Sequence, residues 1–207
     1  MVVKHGLLVG DPAMMSGLVD VLTRLEAAKA IDHNRSAKTI GVLFTVKMYL
    51  EEAREQMARL QRAKSTGQYG FDSASVAVRS LHFYLICWRM IGKMIWALEK
   101  EFKFSAPKEV RGRDGGQLHL HSNARHDFEH FDERLRGKAD SKGTRLAQPN
   151  ILAVLVDDDL HMGGKIYRGV QTSLPKLEAI VRDLIQTMTA EAQQMLRDTA
   201  TLSSDEA

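Results

Sequence analysis

The sequence predicts a mainly α fold, a helical bundle with one small β-hairpin inserted before the C-terminal helix. Three observations carry that expectation. Long stretches repeat apolar residues at helical spacing with no proline inside them. Asp11-Pro12 and Thr172-Ser173-Leu174-Pro175 have the chemistry of helix starts. One run, Ile151 to Val156, instead sets β-branched residues beside an aspartate cluster, the pattern of a strand and a turn. With 207 residues and 44% hydrophobic content the chain suffices for one well-buried core, so a single domain over 1–200 with a flexible tail at 201–207 is expected.

Taken in order, Asp11 caps and Pro12 opens a first helix whose apolar stripe is Leu18, Leu22 and Leu25. The second helix covers about 36–64, where Ile40, Leu43, Phe44, Leu50, Met57 and Leu60 recur at near-helical spacing, and residues 65–70 turn the chain. The third, about 72–102, is apolar on nearly all sides, which marks a central element enclosed by other helices or by a partner subunit. Pro107, Gly112, Gly115 and Gly116 make 103–116 a loop before a fourth helix that ends at Gly137, closing a core bundle over about 36–137. A hairpin over about 151–169 then turns at Asp157-Asp158-Asp159, and a last helix spans about 172–197. The methionines, among them Met14, Met15, Met48, Met57, Met90, Met94 and Met188, read as core filler.

Composition narrows the function. The only cysteine, Cys87, lies in an apolar run, so no intramolecular disulfide is possible and a reducing, cytoplasmic compartment is expected. Asp11 and Pro12 interrupt the apolar N-terminus before an export signal is complete. Residues 81–98 approach the length of a membrane span, but His82, Arg89 and Lys93 would each be costly in hydrocarbon, and no membrane partner is expected. Net charge is only +3, so any polyanion must be met by local patches. Arg79, His82, Arg89 and Lys93 fall within a sector of about 80° on the third helix. Arg134, Arg136 and Lys138 form a second patch, followed by Lys142 and Arg145. Either can face RNA; each is also what a solvated helix face or a helix C-terminus carries.

The stretch from Ala124 to Arg134 gathers the most chemistry. On a helix, Phe128, Phe131 and Leu135 share a core face, while His126, His130 and Glu133 lie opposite. Arg125 stands about 140° from His130 and one ion-pair spacing from Glu129. Two chemistries suit these residues. His126 and His130, completed by His119, His121 or Glu133, have a spacing that permits a metal, although no cysteine or HExxH accompanies them. Alternatively, a histidine that moves the proton of a 2′-hydroxyl and a fixed arginine at the phosphate are what RNA cleavage requires. Asp157, Asp158, Asp159 and His161 match no EF-hand, and Met162-Gly-Gly-Lys165 lacks the spacing of a phosphate loop.

Arg125-His126-Asp127-Phe128-Glu129-His130 resembles the motif of the HEPN superfamily: Arg, a polar residue, three further residues and His. The resemblance is specific over 125–130 and looser over about 36–137. It implies a helical bundle that forms a homodimer, with Arg and His of both copies lining one cleft, and RNA cleavage that needs no metal or other cofactor. It implies His130 as general base or acid, Arg125 as phosphate clamp and His126 as a polar assistant, in an enzyme of toxin or defence type with an antitoxin or regulatory protein as partner. Many such domains are inactive interaction modules, so a structural helical dimer stays open beside the nuclease.

Overall fold

The computed structural model describes residues 12–65, 71–129, 154–156, 158–162 and 165–205. Among them are five helices: α1 (Pro12–Ala27), α2 (His33–Ser65), α3 (Phe71–Lys100), α4 (Ala106–Glu129) and α5 (Leu174–Asp205). Between α4 and α5 lie three short strands, β1 (Val154–Val156), β2 (Asp159–Met162) and β3 (Lys165–Tyr167). The protein is therefore mainly α, with its β structure placed before the last helix. The strands form an antiparallel meander in the order β1-β2-β3, with Leu155 opposite Leu160 and His161 opposite Ile166. One hairpin was expected, but Met162 pairs with Lys165 across a second reversal, so a third strand is added and Asp159 belongs to a strand rather than to the turn.

Helix ends follow local chemistry. Asp32 caps α2, its carboxylate accepting from the Arg35 amide at 2.8 Å and its carbonyl from the Ser36 amide, so the helix starts before the expected Ser36. α1 closes with Lys29 in the left-handed region at φ 57°, the Lys29 amide bonded to the Glu26 carbonyl and the Ala30 amide to the Leu25 carbonyl. Of the segment expected as a loop, 103–116, residues 106–116 are helical. Ser105 opens α4, and Glu191 of α5 reaches the first amides, its two carboxylate oxygens accepting from Ser105 N at 2.9 Å and Ala106 N at 2.8 Å. Pro107 sits in the first turn, where its missing N–H costs nothing, and the glycines continue the helix. The last helix also outruns its expected end, so residues 201–205 are helical rather than part of a tail.

The chain divides into two compact units. The first comprises Met1–Glu51, Met90–Gly115 and Lys176–Ala207. Its buried side chains include Leu18, Leu22 and Leu25 of α1, Leu43 and Leu50 of α2, Ile91 and Ile95 of α3, and Leu184 and Met188 of α5. Each such side chain stabilises by roughly 1.5–3 kcal/mol relative to exposure. Asp114 of α4 is buried between Lys176 at 2.6 Å and Arg113 at 3.1 Å. Burial alone would raise its carboxyl, but the hydrogen bonds and charges of Lys176 and Arg113 hold it below the ordinary value.

The second unit comprises Glu52–Arg89 and Gly116–Pro175. Met57 and Leu60 of α2, Leu81, Tyr84, Leu85 and Trp88 of α3, and Ala124 of α4 are buried there. On β2 the period of two is plain, with Leu160 and Met162 buried and Asp159 and His161 half-exposed. Gly169 follows β3 at φ 65°, a conformation that favours glycine, and donates its amide to Asp159 Oδ1 at 2.7 Å.

Three expectations about apolar residues are corrected. α3 is not enclosed on nearly all sides by the described residues, because Arg79, Phe83, Lys93 and Trp96 are exposed opposite its buried face. Phe44 is not a core residue of α2, being 50% exposed, and Met48 is 67% exposed rather than core filler. Among the described residues no helix is long and apolar enough to cross a membrane.

Candidate functional site

The stretch that gathers the most chemistry falls on the last turns of α4, which runs to Glu129. Arg125 is half-buried and His126 is exposed, so both retain access to solvent. Asp127 between them and the rest of the motif is buried. Its Oδ2 accepts a hydrogen bond from the Tyr167 hydroxyl of β3 and another from Lys165 Nζ at 2.8 Å. The helix therefore turns one carboxylate inward against the sheet, where a cation and a phenol compensate it. This contact was not legible from helical phase, which requires knowledge of where the strands lie.

His130, Arg134, Arg136 and Lys138 lie outside the described residues, as do Phe131, Glu133 and Leu135. Of the expected basic stripe, Arg79 is exposed and its Nε donates to the Ser75 carbonyl at 3.4 Å, Lys93 is exposed, and His82 and Arg89 are half-buried. The four thus occupy the side of α3 opposite the buried Tyr84, Cys87 and Ile91, as their shared sector requires. His82 Nε2 is itself shielded from solvent, and its ring lies 6.0 Å from that of Phe83.

His121 belongs to a different assembly that the sequence did not reveal. Its ring is fully buried and stacks on Trp88 at 3.8 Å between centroids. Nδ1 lies 2.8 Å from the Gln117 carbonyl, so it carries the proton and donates. Nε2 then faces Ser173 Oγ at 2.9 Å as an acceptor. Ser173 Oγ is also 2.8 Å from the Tyr84 hydroxyl and 2.6 Å from the Val170 carbonyl. With one proton for two acceptors, Ser173 must receive the Tyr84 hydroxyl as donor. Burial pushes the imidazole down to about 4, against the opposing pull of the Gln117 carbonyl.

The His121–Ser173 pair has the separation of a base and its nucleophile. Both residues are nevertheless buried, and the hydroxyl is engaged on every side, which makes it a tie among α3, α4 and the start of α5. Having both ring nitrogens committed, His121 cannot also complete a metal site. Among the described residues no group of three or more His, Cys, Asp or Glu side chains is placed to hold a metal ion. Asp159 serves the turn at Gly169, and the Asp158 carbonyl accepts the Gln171 amide at 3.1 Å. No protein-family model, no curated protein and no solved structure matches the chain, so the chemistry of α4 rests on its own residues.

Proposed function

We propose that the chain is a HEPN-like, metal-independent endoribonuclease of toxin or defence type, acting at a cleft between two copies. The observation that carries this reading is the disposition of Arg125, His126 and Asp127 on α4. Arg125 and His126 keep solvent access, while the intervening carboxylate is buried and compensated by Lys165 and Tyr167. A phosphate approaching Arg125 is thereby spared the negative charge of Asp127, two residues away.

In this reading Arg125 clamps the phosphate and His126 assists. His130 takes the proton of the 2′-hydroxyl, whose oxygen attacks phosphorus and expels the 5′-oxygen, leaving a 2′,3′-cyclic phosphate. Arg79, His82, Arg89 and Lys93, with Arg134, Arg136 and Lys138, supply cations for the RNA backbone. An antitoxin or regulatory protein is the expected further partner, in the cytoplasm.

The test is cleavage of single-stranded RNA in excess EDTA by wild type and by folded Arg125→Ala and His130→Ala proteins. Wild type should generate cyclic phosphate ends and both variants should not. If wild type does not cleave, or all three cleave alike, the nuclease reading fails. The second reading, a catalytically silent interaction module, is favoured by the exposed Phe44 and Met48 of α2. It expects His130→Ala to leave RNA untouched and to weaken self-association instead.

A further inference from the structure

We propose that the exposed face of α2 is a homotypic interface, on which two copies of the chain pack this helix antiparallel about a two-fold axis between Gly41 and Phe44. The first observation is spacing. Asn34, Ala37, Gly41, Phe44, Met48 and Glu51 alternate steps of three and four residues, the pattern by which one helix packs along another. All six are exposed, although the same helix already buries Ser36, Thr39, Leu43, Val46 and Leu50. α2 therefore carries a second packing seam that no described residue of the unit covers. At the middle of it Phe44 is 50% and Met48 67% exposed, a cost that a partner removes.

The second observation decides which partner. A two-fold axis between Gly41 and Phe44 sets Phe44 against Gly41, Met48 against Ala37 and Glu51 against Asn34 of the other copy. Each large side chain then meets a small one, so the seam complements itself in size without any change of shape. A parallel pair would instead put Phe44 on Phe44 and Gly41 on Gly41, a collision beside a void. Gly41 is open on this side, since nothing lies within 4 Å of a Cβ built there. Among the described residues no contact requires a glycine at that position.

The helix dipoles agree with the same direction, because antiparallel pairing opposes them favourably. The seam is one helix wide, smaller than the roughly 800 Å² per partner of a standard stable interface. The dimer is accordingly expected to dissociate on dilution. The inference does not rest on the RNA reading, and its test measures association alone.

Register is read by disulfide trapping of full-length chains carrying Ala37→Cys or Met48→Cys, under oxidising conditions that leave the buried Cys87 unreacted. A mixture of the two variants should yield a covalent dimer, whereas neither should by itself. Sedimentation should show concentration-dependent association for wild type that Phe44→Glu weakens markedly, with Gly41→Phe weakening it at least tenfold. Adding Phe44→Ala to Gly41→Phe moves the large residue across the axis and should recover most of the dimer. The proposal is overturned if wild type is monomeric at every concentration, if Phe44→Glu associates like wild type, or if Met48→Cys alone cross-links as well as the mixture.

Discussion

The imidazole of His121 lies flat on the indole of Trp88, with ring planes 6° apart, and is closed off from water. Its charged form is therefore disfavoured in the folded protein, where burial pushes it down to about 4 from an ordinary value of 6.5. As pH falls, the unfolded chain binds this proton first. The contribution is fully present above about pH 6.5 and is lost progressively as pH falls toward 4, amounting to roughly 2 kcal/mol between about pH 7 and about pH 5. Urea unfolding at those two pH values should show that loss in wild type and a flatter response in His121→Gln. Equal slopes in the two proteins would refute it.

Lys165 and Tyr167 donate to Asp127 with unequal weight. Tyr167 is buried, so Tyr167→Phe leaves a buried carboxylate short of a partner and should cost about 1–3 kcal/mol. Lys165 is 60% exposed, so Lys165→Met should cost less, about 1 kcal/mol or under. Denaturation midpoints of the two variants measured side by side decide the ranking, and the reverse order contradicts this account of the helix–sheet contact.

The α4 start is held from a distance by Glu191. Glu191→Ala removes the acceptor for two N-terminal amides and should destabilise by about 1 kcal/mol, the scale of a lost helix cap. Hydrogen exchange should accelerate most at the amides of Ser105 and Ala106. Uniform acceleration along α4 would mean that Glu191 acts through general stability instead.

Lys29 ends α1 in a conformation that costs an L-residue roughly 1–2 kcal/mol and a glycine far less. Lys29→Gly should thus raise stability by about 0.5–1 kcal/mol, after the entropy of the more flexible unfolded chain is subtracted. A lowered melting temperature would show that the Lys29 side chain contributes more than its backbone strain costs.

How much of this was legible in the sequence varied with the range of the interaction involved. Leu18, Leu22 and Leu25 announced the buried stripe of α1 because helical phase is a local property. The cap at Asp32 was equally local and could have been found, since an Asx residue stands immediately before the apolar period. The first half of α4 was hidden because Gly112, Gly115 and Gly116 argue against a helix, while its support comes from Glu191 and Lys176, far along the chain. Phe44 and Met48 looked like core because apolar residues at helical spacing fit either side of a helix until the buried side is known. The roles of Asp127 and His121 were illegible for the same reason, each being set by residues of other elements.

One buried atom gives this protein an internal clock. The thiol of Cys87 is buried, and desolvation, reinforced by the charge of Glu52, pushes it up to about 12. Attack on an aromatic disulfide reagent must therefore wait for a fluctuation that admits water to α3. With no other cysteine in the chain, the labelling rate at increasing reagent concentration separates how often that opening occurs from how long it lasts. The breathing of α3 around Cys87 can thus be timed in the unmodified protein, without any reporter being introduced.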